Sequence, residues 1–285
     1  MEVGDSMIQS MITSATTMGQ LQNKLDVTSN NLANMNTTGY KRREVTFADL
    51  LFQQVNNQTV AAHEVGRTTP NGIRVGSGAA VAQTAMRLEQ GAIQNTDRPL
   101  DLALTERGFF FEIAPSEDGT RRFTRDGAFY LSPNPDVEGE NHLVNQNGDY
   151  VLSQAGTPIT LPAGYQDITI TESGTILVTD QNGNTEQVSQ LQIVQVTKPQ
   201  LMLASGENNF IFPNLEELEL GFADVLVEGV GAAGAEVIQQ RALEMSNVDM
   251  GREMTEMLLA QRNYQFNSQA ISITDQMMGL VNNLR

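Results

Sequence analysis

The sequence predicts an α+β chain in several parts: N- and C-terminal helices paired as a coiled-coil-like stem, with a central all-β domain between them. Two observations lead there. Apolar residues recur every seven positions near both ends, as Met11, Met18, Leu25 and Leu32, and again as Met250, Met257, Tyr264, Ile271 and Met278. Between them the texture changes to short apolar runs broken by glycine-containing turn dipeptides. At 285 residues the chain is too long for one small core, and it suits two domains or one domain with long helical arms.

The elements follow in order. Residues 1–45 read as an N-terminal helical stem, with a helix over 7–36 whose only glycine is Gly19. Ile8 and Ala15 supply a companion line to the Met11 ladder, and Gln22 and Ser29 break it. Gly39 offers a left-handed stop after Asn36-Thr37-Thr38. Residues 46–96, rich in Gln, Asn, Thr and Gly, read as an extended connecting arm. Residues 97–225 read as the central β domain. There Phe109-Phe110-Phe111-Glu112-Ile113 has a buried-strand pattern, and 168–171 and 175–178 alternate. Glu117-Asp118-Gly119, Asp126-Gly127, Asn147-Gly148 and Asn182-Gly183 mark tight turns. Residues 226–246 read as a return connector and 247–285 as the C-terminal helical stem. Its ladder is traced from Leu243, with a mostly polar companion line of Met254, Gln261, Ser268, Asp275 and Asn282. At ~1.5 Å per residue the two helices are roughly 45 and 55 Å long. Neither can bury its narrow seam alone, so each needs a partner.

Composition excludes several classes. Seventeen basic against 34 acidic residues give a net charge of −17, the opposite of a nucleic-acid footprint or a polybasic membrane-surface patch. No cysteine is present, so disulfides, thiolate metal sites and a cysteine nucleophile are out. Two histidines, His63 and His142, cannot build a multi-histidine metal site. No secretory leader pattern and no span of ~18 apolar residues occur, so direct membrane insertion is not expected. Asp180-Gln181-Asn182-Gly183-Asn184 places its glycine fourth rather than sixth, which fits a hairpin better than a calcium loop. Asp97 and Asp101 lie four apart and could mimic an acid pair, but no nucleophile elbow, phosphate loop or zinc helix accompanies them. No catalytic residue, cofactor or metal is assigned.

The termini carry a more specific signal. Leu25-Asp26-Val27-Thr28-Ser29-Asn30-Asn31-Leu32-Ala33-Asn34 continues through Met35-Asn36-Thr37-Thr38-Gly39-Tyr40-Lys41. Ala242-Leu243-Glu244-Met245-Ser246-Asn247-Val248-Asp249 opens the C-terminal stem, followed by Glu253-Met254 and Gln261-Arg262-Asn263-Tyr264. Together these resemble the flagellar rod and hook axial-protein family, with interior support from Leu100-Asp101-Leu102-Ala103-Leu104, Gly108-Phe109-Phe110 and Phe123-Thr124-Arg125-Asp126-Gly127-Ala128-Phe129. The chain departs from the family pattern at Glu106, where a glycine is usual, and at Arg241, where glycine often precedes Ala-Leu-Glu. Residues 1–6 lie ahead of Met7, where the family pattern starts.

The resemblance implies a structural subunit of the flagellar basal-body rod, not an enzyme. It would polymerise through its terminal helices into a tubular, torque-transmitting shaft. Implied partners are further copies of the chain in a helical homo-polymer, other flagellar rod and hook proteins, and the flagellar type III export apparatus. The implied location is the basal body, reached without a cleaved signal peptide. A hook or hook-junction role in the same family, a secreted cell-wall hydrolase and a carbohydrate-binding β domain with helical tails are the alternatives.

The expected assembly interface comprises Met11, Met18, Leu25, Asn30, Asn31, Leu32, Asn34, Thr38, Gly39 and Lys41 at one end. At the other it comprises Leu243, Glu244, Ser246, Asn247, Met250, Met254, Met257, Tyr264, Ile271 and Met278. Methionine adapts to irregular gaps, useful where staggered helices each pack differently, though it also serves as ordinary core filler. The asparagines either mark a frayed helix end or bond backbone groups and neighbouring helices near the bend. Lys41-Arg42-Arg43 is either a solvated face or pairs with carboxylates such as Glu244 or Asp249 on an adjacent strand or subunit.

Overall fold

A computed structural model describes residues 2–49, 52–55, 73–76, 79–116, 118–135, 137–181, 183–206, 208–213, 215, 217–229 and 236–283. Side chains of 2–6, 48–55, 73–83 and 281–283 lie outside that description, as do Glu117 and Asn182 of the expected turns and most of the expected arm.

In chain order, α1 (Glu2–Ala33) leads to β1 (Arg43–Asp49), β2 (Phe52–Val55), β3 (Ile73–Gly76) and β4 (Ala79–Met86). Next come β5 (Ile93–Asn95), β6 (Leu102–Leu104), β7 (Phe109–Ile113), β8 (Arg122–Thr124), β9 (Tyr130–Pro133), β10 (Glu140–Val144) and β11 (Thr160–Pro162). Then β12 (Asp167–Ile170), β13 (Thr175–Thr179), β14 (Thr185–Gln190), β15 (Ile193–Val196), β16 (Leu203–Gly206) and β17 (Asn209–Ile211) precede the short α2 (Phe222–Val225). The chain ends with β18 (Leu226–Val227), β19 (Ile238–Gln240), β20 (Ala242–Glu244) and α3 (Met250–Asn283). These elements fall into two compact units.

Unit 1 holds residues 1–32, 43–85 and 250–285. It contains the two long helices and two ladders, β1 with β4 and β2 with β3, so the described residues between 46 and 85 are paired strands. The first helix ends at Ala33, three residues before the sequence-based boundary. Asn34 accepts a hydrogen bond from the Thr37 hydroxyl at 3.3 Å, a local bond that competes with helix continuation. Gly39 does adopt the left-handed conformation, at φ 67°, but in the turn beyond the helix. The second helix starts at Met250, which puts Leu243 on β20 and outside the helical ladder.

Unit 2, residues 33–42 and 86–249, is built on a six-stranded sheet ordered β16-β17-β8-β7-β15-β18. The centre of this sheet explains the Phe-Phe-Phe run. Phe109 and Phe111 enter one core with Leu102, Phe129, Leu143, Ile168 and Ile193, while Phe110 enters a second with Phe123, Val194, Phe210 and Phe212. Buried on both faces, β7 reads as a nearly continuous apolar run, broken by Glu112, which pairs with Arg121. Edge-to-face ring pairs lock each side: Phe111 with Phe129 at 5.2 Å, and Phe110 with Phe210 at 5.6 Å.

Smaller sheets complete the unit, β11-β10-β9 and β12-β13-β14, with alternating burial along β12 and β13 as the sequence predicts. The 226–246 stretch is itself part of the sheet structure. Its β19 pairs with β6 and β20 with β5.

Turn chemistry follows the dipeptides with one exception. Gly119, Gly148 and Gly183 all have positive φ in tight turns, and Gly183 closes the β13–β14 hairpin, as its place in the Asp180–Asn184 stretch predicts. Asp126-Gly127 is not a hairpin turn. A Cβ on Gly127 would meet the Leu102 carbonyl oxygen at 1.7 Å, so the glycine is there for close backbone approach.

Arg241, between β19 and β20, has φ 58°, a left-handed conformation that disfavours a side chain. The family glycine at this position would adopt it without strain. Arg241→Gly is therefore expected to raise stability by up to about 1 kcal/mol, read as a higher urea midpoint. The exposed guanidinium reaches Asp167 only at 4.0 Å, so little is lost with it.

A buried junction and the helix faces

The first feature is a junction inside unit 2, where the segment after α1 meets the strand before α3. Thr38, Gly39 and Lys41 arrive from one motif, and Glu244 and Asn247 from the other. The Gly39 N–H donates to the Glu244 carbonyl at 2.8 Å, and the Thr38 hydroxyl donates to Asp126 Oδ1 at 2.8 Å. A Cβ on Gly39 would lie 2.5 Å from the Asp126 nitrogen, so the position combines positive φ with no room for a side chain.

At the centre is a charge triad. Lys41 Nζ lies 2.6 Å from Glu244 Oε1, and Arg125 Nε lies 2.5 Å from Glu244 Oε2. All three side chains are 1 % exposed. Surrounding groups complete the bonding. Glu244 Oε1 also accepts the Gly91 N–H at 2.9 Å, and Lys41 Nζ also donates to the Glu89 carbonyl at 2.9 Å. Arg125 donates further to the carbonyls of Phe109, Leu104 and Glu106. Burial pulls the Lys41 ammonium below its usual pKa, helped by the Arg125 charge and opposed by Glu244. Burial likewise lowers Arg125, and Glu244 opposes it. Of the two sequence-based readings of the basic patch, the pairing with Glu244 is made at Lys41, on a strand of the same chain. Asn247 extends the junction: its Oδ1 accepts the Arg42 N–H at 2.7 Å, and its amide donates to the carbonyls of Arg87 and Glu89.

Asp126, beneath Thr38, is pushed above its usual 3.8 chiefly by burial, with Thr38 and the Ala128 N–H pulling it back. A raised folded pKa stabilises the fold fully below the unfolded value, and that contribution is lost as pH rises through the folded one. Asp126→Asn keeps the two acceptor contacts without the charge. Its stability relative to the parent is expected to improve as pH rises from about 4 to neutrality, measured by urea denaturation across that range.

The second feature is the set of faces on the helices of unit 1. On α1 the inward face follows 3-4 spacing through Met11, Ser14, Met18, Leu21, Leu25, Thr28 and Leu32, with Ser14, Leu21 and Thr28 buried and the others half-buried. The companion line is thus three residues after the Met11 ladder, while the expected companions Ile8 and Ala15 are exposed. Thr28 satisfies its buried hydroxyl on the Lys24 carbonyl at 2.9 Å. On α3 the inward face runs through Glu253, Met257, Ala260, Tyr264, Asn267, Ile271, Thr274 and Met278, again at 3-4 spacing. Met250 and Met254 are exposed.

Side-chain contacts join the helices. Lys24 pairs with Glu256 at 3.3 Å, and the Asn31 amide donates to Glu253 at 3.1 Å, which sets an antiparallel sense. Asn31 also brackets the backbone of Arg43, accepting its N–H at 3.0 Å and donating to its carbonyl at 2.8 Å. Asn30 is exposed, while Asn34, Ser246 and Leu243 are half-buried.

A second apolar line on α3 escaped the sequence reading. Leu259, Phe266, Ile273 and Leu280 recur every seven residues and are 53 %, 65 %, 60 % and 61 % exposed. Ala270 and Met277 fill the intermediate positions. Heptad spacing itself was the signal that could have found it. Charge separates the units as well: unit 2 holds 25 acidic against 10 basic residues, and unit 1 holds 9 against 7. Of the candidate acid pair, Asp101 is buried and bound by the Thr96 hydroxyl at 2.8 Å and by Arg98 at 3.3 Å, while Asp97 is exposed.

Comparison with known proteins agrees with this organisation. Residues 11–41 match the family described as flagella basal body rod protein. Residues 103–178 match the flagellar hook protein FlgE/F/G D1 domain, and residues 239–284 the flagellar basal body rod FlgEFG protein C-terminal family. The chain is 39 % identical over 282 residues to the flagellar hook-basal body complex protein FlhP of Bacillus subtilis, covering 98 % of this chain and 100 % of that one. It is 35 % identical over 283 residues to the flagellar basal-body rod protein FlgG of Borreliella burgdorferi, covering 98 % and 99 %. To FlgG of Bacillus subtilis it is 34 % identical over 280 residues, covering 98 % and 100 %. With both terminal motifs, the central β unit and nearly the whole length matched, the chain belongs to the flagellar basal-body rod protein family.

Proposed function

We propose that this chain is a structural subunit of the bacterial flagellar basal-body rod, polymerising through its terminal helices into a tubular shaft that transmits torque. The observation that carries the reading is the exposed ladder Leu259, Phe266, Ile273 and Leu280 on α3. A helix with one apolar seam turned inward and another left in water has a face reserved for further helices. Fully burying a side chain of this kind contributes about 1.5–3 kcal/mol, so covering half-exposed ones contributes roughly half of that each. Charge favours the same route. The acidic unit 2 repels its own copies, and the nearly neutral unit 1 does not, so adhesion falls to the helices.

In this reading α1 and α3 continue as a coiled-coil-like pair along the seams described above, and neighbouring copies cover the outward faces. The interface includes Met250, Met254 and the outward ladder, while Lys41, Glu244, Gly39 and Asn247 tie the segment after α1 to the strand before α3. Contacts between copies are heterologous and do not close into a ring, which yields a helical filament. Other rod and hook proteins continue the shaft at its ends. Export proceeds through the flagellar type III apparatus.

The test is a strain lacking the gene, complemented with a chain that stops before Met250. Basal bodies that end short of the hook, with the truncated protein excluded from them, are the expected result. Restored motility overturns the mechanism. Complete rods that lack only the hook in the deletion strain point instead to a hook-junction role.

A further inference from the structure

A cavity of about 260 Å³ opens in unit 2 that the assembly mechanism does not use. Its walls come from four places: Asn34 in the turn after α1, Thr124 and Asp126 at the end of β8, the turn that follows β10, and Asn208. Every lining side chain is polar. Among the described residues the lining holds no apolar wall and no cation, and one carboxylate.

Part of this polarity is already satisfied. Asn145 bonds the turn through the N–H groups of Asn147 and Asp149, and Asn208 donates to the Thr38 carbonyl at 2.9 Å. Other groups remain open. The exposed side-chain amides of Gln146 and Asn147 carry no hydrogen bond among the described residues.

We propose that this cavity binds a neutral polyhydroxylated ligand, a single saccharide ring. Each side-chain amide offers both donor and acceptor, as a hydroxyl does, so a wall of amides matches a ring of hydroxyls. Competing ligand classes meet the wrong lining. An anion would find no cation and would face Asp126. A divalent metal ion would find one carboxylate where hard cations take six or more oxygens in a set. An apolar ligand would find nothing to pack against. An amine would depend on one carboxylate that burial biases toward its neutral form. The volume lies just below the range usual for drug-sized ligands, which limits the occupant to about one ring. With no aromatic platform in the lining, affinity falls in the millimolar range, on the order of −4 kcal/mol.

The experiment is saturation-transfer NMR on the full chain, with methyl β-glucopyranoside and N-acetylglucosamine as probes and putrescine, inorganic phosphate and calcium as competitors. Saturable transfer to at least one sugar is expected, unaffected by the three competitors. Gln146→Ala and Asn147→Ala are each expected to weaken binding at least threefold, and the pair to abolish it. Both residues are exposed and bond nothing through their side chains, so the far-ultraviolet circular dichroism of the variants should match the parent. Absence of transfer to either sugar, binding unchanged in the double variant, or displacement by putrescine or calcium each overturns the proposal. None of these outcomes bears on assembly through the helices.

Discussion

Glu244→Gln is expected to cost about 3–5 kcal/mol of unfolding free energy, a large fraction of what a domain of this size has to spare. The side chain is 1 % exposed and its two oxygens face Lys41 and Arg125. Removing its charge leaves two buried cations with no counter-charge, so the penalty is mainly theirs rather than the net worth of the pair. Urea denaturation followed by circular dichroism reads it as a lowered midpoint. A double-mutant cycle with Lys41→Met separates the pairwise part, and coupling of at least about 1 kcal/mol is expected for groups in contact. A variant within about 1 kcal/mol of the parent, with no coupling, would remove the triad from the account.

Replacing Leu259, Phe266 and Ile273 together by Gln is expected to abolish incorporation into basal bodies while leaving the monomer folded. The three side chains are more than half exposed in the isolated chain, so the change costs little there. In a polymer each subunit would lose three covered apolar side chains, roughly 1 kcal/mol apiece at every contact. Summed along a filament, that loss is decisive. Immunoblotting of purified basal bodies and swimming in soft agar check it. Normal motility of the triple variant would move the adhesive surface elsewhere.

How much of this was legible in the sequence depends on whether a signal is local. The ladder Met257, Tyr264, Ile271 and Met278 was readable because apolar residues repeat at fixed spacing, and the structure turns it inward. Its companion Glu253, Ala260, Asn267 and Thr274 was not, because small and polar residues carry that half of the seam. Glu253 can do so because its carboxylate is partnered, in part by the Asn31 amide. The β7 run was legible as a buried strand, but not that its alternate side chains feed two separate cores. Asp126-Gly127 misled because glycine beside aspartate usually marks a turn, whereas here the missing side chain admits the Leu102 backbone. The triad lay beyond local reading altogether. Lys41 and Glu244 are 203 residues apart, and only the tertiary fold shows that a basic patch in an acidic chain is partly a buried pair.

The outward face of α3 is in water in the single chain and, in the proposed shaft, is covered. The chain has no cysteine, so Ile273→Cys provides a single reactive position on that face. The rate of maleimide modification at 273 in the purified monomer and in isolated basal bodies tests the claim directly. Fast labelling of the monomer and at least tenfold slower labelling in the basal body is the predicted result. Equal rates in the two would contradict it.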